Sequence, residues 1–201
     1  DTNPLSTAPM PFMRRLLGGK PLTLEAVGTK NSRVTVLSLD ATLQVAGEPQ
    51  SATGQTTLFT GINASKAVGR HVRGFPTRPL CSLLASEGLS KKAVAMKKKV
   101  DFLNSYRPEY FTEKPRAKRA YSATTWMNRY AGLPFHTFAD LKDKKAINAD
   151  ITNEFTAQMG HPLPLIEPEE AGRIAAQRSQ AADLLLYEYF LTDKYAHKRN
   201  A

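Results

Sequence analysis

One cysteine, Cys81, stands in 201 residues, which excludes an internal disulfide framework and any multi-cysteine zinc or iron–sulfur site. A lone thiol of this kind reads as a buried or half-buried side chain in a reducing compartment. Long apolar runs are missing too. The longest, around Leu184 to Leu191, is interrupted by Glu188 and falls far short of the ~20 residues a spanning helix needs. The four histidines, His71, His136, His161 and His197, are far apart and none has HxxxH or HExxH spacing, so the sequence offers no local zinc motif. There is no Gly-x-Ser-x-Gly elbow, Cys81 has no neighbouring base, and Gly18-Gly19-Lys20 is only a fragment of a phosphate loop. From these absences the chain is expected to be neither an enzyme nor the holder of a cofactor or metal. Acidic residues are the scarce charge, 18 against 28 Lys and Arg, and a net +10 calls for an acidic partner such as nucleic acid, anionic lipid or another protein's negative surface.

Residues 1–20 hold three prolines, two glycines and one short basic–apolar patch, Phe12 to Leu17 with Arg14 and Arg15. That is too little for an independent element, and it reads as an arm ordered by lying on something. The chain opens at Asp1 rather than Met. A removed presequence is one account of this, and a basic chain with one cysteine fits an imported organellar protein.

From Pro21 to about Phe59 the pattern is strand-like. In RVTVLSLDATLQV, residues 33–45, β-branched and apolar residues nearly alternate with Thr and Ser, which predicts half-buried strands with a turn near Asp40. Gly47 to Gly54 reads as a polar loop, and 64–71 and 82–85 as short helices. Ser90 to Tyr106 reads as a longer helix with Ser90 as its N-cap, ended by Pro108. A further helix is expected from about Ala146 to Met159, stopping at Gly160. The last helix is expected over about 168–198, with Pro168, Glu169 and Glu170 in its first turn. On it Leu184, Tyr187, Leu191 and Tyr195 share a face by their i, i+3, i+4 spacing, and the surrounding Leu and aromatic residues widen that face enough to imply burial from more than one side.

The segments PLTLEAV at 21–27, VTVLSLDATLQVAG at 34–47 and LFTGINASKAVGRH at 58–71 resemble the cytochrome b5-like haem/steroid-binding domain, in its membrane-associated progesterone receptor branch. That branch's Phe-Ala-Gly-Arg-Asp-Ala-Ser-Arg phrase stands here as Phe59-Thr60-Gly61-Ile62-Asn63-Ala64-Ser65-Lys66. Its closing helix and Phe-x-x-x-Tyr ending are similar to Val100–Tyr106. The resemblance implies the family's fold over about 21–111. The branch ligates haem through a tyrosine in the loop before the Phe-Ala-Gly phrase, where this chain has PQSATGQT. No Tyr, His, Cys or Met lies between Gly47 and Leu58, and iron porphyrin needs an axial donor. The missing ligand argues against the cofactor, with His71 as the one nearby substitute.

The fold class expected is therefore α+β: an arm at 1–20, a degenerate cytochrome b5-like domain at 21–112 (a short twisted sheet with short helices), and a helical extension at 113–201. Fifteen basic against seven acidic side chains fall in 1–112, so the positive field belongs to the first half. The basic run from Lys91 to Arg119 could track a phosphate backbone. Its plainer reading is a solvated face lying on an acidic partner, with Tyr106, Tyr110 and Phe111 claimed by the fold's own core. Partner contacts are expected at Arg14, Arg15, Lys97, Lys98, Lys99, Arg116, Lys118, Arg119, Leu184, Tyr187, Leu191 and Tyr195. The function expected is a non-catalytic accessory subunit of a mitochondrial inner-membrane energy-converting complex, an ATP synthase or respiratory complex. It would touch other subunits and anionic lipid such as cardiolipin without a span of its own. The alternatives are a mitochondrial ribosomal or other RNA-associated protein, and a haem or sterol binder with an atypical ligand.

Overall fold

The computed structural model describes residues 4–111 and 121–198, and these are mixed α+β, short helices joined to two short pairs of parallel strands. Arg116, Lys118 and Arg119 lie outside the described residues. The chain divides into two compact units, one of Asp1–Ala41 with Thr192–Ala201 and the other of Thr42–Leu191.

In the first unit, α1 (Pro4–Thr7) and α2 (Pro11–Leu16) each open on a proline, where a missing N–H costs nothing. The strands expected over 33–45 do not form. Asn31 Oδ1 accepts the amides of Arg33 and Val34 at 2.8 and 3.0 Å, which closes a tight turn. Only Lys30 and Thr35 then bridge, antiparallel. Leu43 and Gln44 follow at positive φ, breaking the extended course again. Alternation gives a strand only where a neighbouring strand takes its hydrogen bonds, and among the described residues this segment finds partners only within its own tight turn, between residues 28–31 and 34–36.

The first helix of the second unit starts inside the polar loop expected at 47–54. Ser51–Thr60 (SATGQTTLFT) is α3, although four of its ten residues are Thr or Gly at inner positions. The threonines solve the problem locally. The hydroxyls of Thr56, Thr57 and Thr60 each donate to the carbonyl four residues back, at 2.6, 2.9 and 2.7 Å. Each is thereby satisfied within the helix. Gly61 in the left-handed region caps α3, and Asn63 caps α4 (Ala64–Val68). Ala52, Ala64 and Leu80 form one small core here, with Leu80 and Leu84 coming from α5 (Arg78–Glu87).

α5 and α6 (Leu89–Ala95) meet at Gly88. A Cβ there would run into the Leu84 carbonyl and crowd Met127 Cγ. Gly88→Ala is therefore expected to cost about 1–3 kcal/mol, measurable as a lower midpoint in urea at unchanged slope. Ser90, read as an N-cap, lies inside α6. There it is fully buried, and its hydroxyl donates to Asn128 Oδ1 at 2.6 Å.

The helix expected over 90–106 stops at Ala95, with Lys97 at positive φ. Residues 100–106 instead run extended through three successive parallel pairings. β1 (Val100–Phe102) pairs with a distant segment, 184–186; Asn104 bridges to Ile147; and β2 (Ser105–Tyr106) pairs with 136–137. All three partners are remote in sequence, so tertiary pairing overrides a local pattern that also fits a helix. Ser122 caps α7 (Ala123–Tyr130), its hydroxyl accepting from the Thr125 amide. β3 (His136–Thr137) leads into α8 (Phe138–Lys142), where Thr137 and Asp140 form a capping box.

The helix expected over 146–159 is reduced to α9 (Glu154–Gln158). Asp150 accepts the amides of Asn153 and Thr156 at 3.2 and 2.9 Å, and Ile151 and Asn153 take positive φ. Such side-chain-to-backbone bonds compete directly with helical ones. α10 (Pro168–Ser179) starts at Pro168 with Glu169 and Glu170 in its first turn, as expected, but it does not continue to 198. Asp183 leaves the helix to accept the Lys99 amide at 2.8 Å. Leu184–Leu186 become β4, and α11 begins only at Leu191, running to Lys198. A short apolar run such as Leu184-Leu185-Leu186-Tyr187 suits a strand as well as a helix. Leu103, Ile147, Ala171 and Ile174 form the core under this strand pair, and Leu84, Ala123 and Met127 form another beside it.

Candidate functional site

The residues with most to offer a ligand cluster where the 100–106 segment passes under α7. Tyr106 is the hub of an aromatic group. Its ring centroid lies 4.7 Å from Tyr110, 5.2 Å from Phe111 and 5.5 Å from an edge-on Phe135. Tyr121, Trp126 and Tyr130 continue the series, with Trp126 stacked on Tyr130 at 5.3 Å. Tyr106, Tyr110 and Phe111 thus serve the fold's own packing rather than standing out to stack bases.

Beside this cluster is a cavity of 330 Å³. Buried Phe102, Asn104 and Ser105 belong to its lining together with Tyr106, while Phe75 and Phe190, both half-exposed, stand at its rim. A polar seam runs along one wall. The Tyr106 hydroxyl is 2.8 Å from Thr125 Oγ1, which in turn is 3.0 Å from Ser122 Oγ. Burial pushes the Tyr106 phenol well above its usual range and raises that of Tyr110, so both stay neutral.

Behind the seam lies Glu188. One carboxylate oxygen accepts from the Thr124 hydroxyl and from Gln55 Nε2; the other is buried with no partner. Burial raises the Glu188 carboxyl, and the Thr124 hydrogen bond offsets only part of that. Glu188 is held in place through its backbone. Its amide donates to Asn104 Oδ1 at 2.8 Å, and its carbonyl accepts from Asn104 Nδ2 at 2.7 Å.

A second polar cluster joins β1, β3 and α10. Asp101 receives His136 Nε2 at 2.8 Å on one oxygen and Arg178 at 2.7 and 3.1 Å on the other. Burial works to raise the Asp101 carboxyl, but the hydrogen bonds from His136 and Arg178 outweigh it and hold the group below the usual carboxylate range. His136 Nδ1 faces Asp140 at 3.9 Å, so both ring nitrogens face carboxylates and the ring stitches the fold together.

The described residues among those expected to meet partners belong to several different elements. Arg14 and Arg15 close α2, with Arg14 reaching the Ser6 carbonyl at 3.5 Å. Lys97, Lys98 and Lys99 are exposed in the turn before β1. Lys98 pairs with Asp183 at 3.5 Å, and the Lys99 amide's hydrogen bond, with Lys98 behind it, lowers the Asp183 carboxyl. Leu184 is in β4. Tyr187 packs on the core and donates to the Asn148 carbonyl at 2.7 Å. Leu191 and Tyr195 are on α11. The four do not form one helical face, because the helix meant to carry them is a strand in its middle. His71 is engaged at both ring nitrogens, 3.1 Å from the Val45 carbonyl and 3.2 Å from Ser65 Oγ. These two contacts tie it to the 42–47 turn and to α4. Among the described residues no group of three or more His, Cys, Asp or Glu could hold a metal ion, and no helix is long and apolar enough to cross a membrane.

The cavity was not foreseen from the sequence. Its one readable signal was the density of aromatic residues on both sides of 112–120, which the polar and basic residues between them obscured. No protein-family model, no curated protein and no solved structure matches this chain.

Proposed function

We propose that this chain is a non-catalytic subunit of a larger assembly, working through contacts, and that a mitochondrial inner-membrane energy-converting complex is its setting. The observation that carries this is the 24–39 stretch. Leu24, Leu37 and Leu39 are 82%, 74% and 83% exposed, on a backbone that makes one isolated bridge and, among the described residues, joins no sheet. Covering each such leucine is worth about 1.5–3 kcal/mol, so a partner laid along this segment gains much from few residues. The arm adds Phe12, also exposed, next to Arg15 at the end of α2. An aromatic side chain beside a cation suits an anionic lipid headgroup such as cardiolipin as well as an acidic subunit.

Kinship with the cytochrome b5-like domains belongs to the same proposal. It rests on the 58–71 phrase, where Gly61 and Asn63 make the turn between two short helices. In this reading the haem has been lost and the domain kept as scaffold.

The test is mild-detergent extraction of tagged full-length chain, native electrophoresis and mass spectrometry of the co-migrating proteins. Stoichiometric energy-converting subunits are the expected result. Ribosomal proteins with rRNA would replace this reading by the RNA-associated one, and a free ~22 kDa species would overturn it. The double substitution Leu37→Asp, Leu39→Asp is expected to release the chain from its assembly, at least tenfold less co-migrating, while its own thermal midpoint moves by less than about 2 °C, because both sites are already in water.

A further inference from the structure

We infer that the 330 Å³ cavity beside Tyr106 is a binding site for a small, uncharged, one- or two-ring aromatic molecule with a hydrogen-bonding group on its edge. This goes beyond the assembly role and does not depend on it.

Size is the first argument. The volume is at the low end of the ~300–1,000 Å³ of small-molecule sites, enough for two fused rings and too little for a haem. Shape and chemistry are the second. Rings from four separate parts of the chain line it, Phe75, Phe102, Phe138 and Phe190, with Tyr106 and Tyr110 alongside. A flat guest therefore meets aromatic faces and edges at stacking distance.

The third argument is Ser105. It lines the cavity and is 7% exposed, and its hydroxyl has no hydrogen-bond partner. A buried hydroxyl left unpaired costs free energy that a guest's polar edge would recover. Its neighbours are already committed: Asn104 to the Glu188 backbone, and Asn148 Nδ2 to Thr156 Oγ1. The Ser105 hydroxyl, unlike the amides of Asn104 and Asn148, gives up no hydrogen bond when it turns towards a guest.

Charge narrows the class further. Arg107 is in the lining and, among the described residues there, no carboxylate is, so a cationic amine is disfavoured. An anion would face the charge of Glu188, which reaches the Tyr106 phenol in the lining. An uncharged ring avoids both.

Calorimetric and ligand-observed NMR titration of the full chain with 2-naphthol, naphthalene and 2-naphthylmethylamine tests this. The expected order is 2-naphthol tightest, naphthalene weaker, and the protonated amine weakest. Ser105→Ala is expected to cost 2-naphthol about five- to tenfold and naphthalene nothing. Ala149 also lines the cavity, and only its backbone is hydrogen-bonded. Ala149→Leu fills the space and is expected to abolish binding of all three in protein that still melts cooperatively. Absence of saturable 2-naphthol binding to cooperatively folded wild-type chain would overturn the inference. So would binding that survives Ala149→Leu unchanged, or 2-naphthol binding that ignores Ser105→Ala.

Discussion

Asn104→Leu is expected to lower the unfolding free energy by about 2–5 kcal/mol, the largest loss from any single side chain discussed here. Asn104 is 4% exposed, and its amide pairs with the Glu188 backbone in both directions, at 2.7 and 2.8 Å. In effect the side chain extends the β1–β4 ladder past Leu186 by one more exchange of hydrogen bonds, and so fixes where the chain goes after β4. Leucine fills a similar volume and supplies neither a donor nor an acceptor. The Glu188 N–H and C=O would each be left buried and unpaired, at about 1–3 kcal/mol apiece. For a chain of this size that is a fall of roughly 5–15 °C in melting temperature. Asn104→Asp keeps the acceptor for the Glu188 amide but loses the donor and adds a charge close to the Glu188 carboxyl. Differential scanning calorimetry at neutral pH should rank wild type above both variants. A loss below about 1 kcal/mol for Asn104→Leu would mean that water already serves the Glu188 backbone.

The same residue shows where reading the sequence stopped short. Asn104 sits in VDFLNSY, a stretch whose spacing suits a helix face. What makes it a strand is pairing with residues 136–137, 147 and 184–186, and no local window contains those partners. Pro168 with Glu169 and Glu170 was legible because a helix start is written in adjacent residues. The end of that helix was not, because it depends on Asp183 meeting Lys99. α3 was missed for the opposite reason. Its composition argues against a helix, and only the back-bonded threonines and the burial of Ala52, Thr53 and Thr56 make it one. The mixed α+β class could be read from the alternation of patterns, although the strands lie at 100–106, 136–137 and 184–186 rather than at 33–45. For the site, the aromatic residues are scattered through the sequence with no spacing that joins them. The cavity they enclose needs Phe75, Phe138 and Phe190 in one place, which is a property of the folded chain alone.

Asp101 and Glu188 should give the stability of this chain two opposed pH dependences, and substituting each should remove one of them. The Asp101 carboxyl is held low, since the hydrogen bonds from His136 and Arg178 prevail over burial. Its contribution is fully present above the unfolded value near ~3.9 and is lost as pH falls through the lower folded value, where protonation breaks both contacts. Glu188 is held high by burial. Its contribution is fully present below the unfolded value near ~4.3 and is lost as pH rises through the higher folded value, because the buried oxygen without a partner must then carry charge. These two groups together therefore favour mildly acidic conditions over both neutrality and strong acid. Asp101→Asn is expected to cost about 1.5–3 kcal/mol at pH 7, and that cost should shrink towards zero below the folded Asp101 value. Glu188→Gln keeps an oxygen for the Thr124 hydroxyl and cannot ionise, so the decline of stability above the ordinary glutamate range should flatten. Urea unfolding from pH 3 to 8 on wild type, each single variant and the double variant separates the two effects. Asp101 and Glu188 belong to different hydrogen-bond clusters, so the changes should add within about 0.5 kcal/mol. A Glu188→Gln curve parallel to wild type across that range would mean that the carboxylate is already solvated when it ionises.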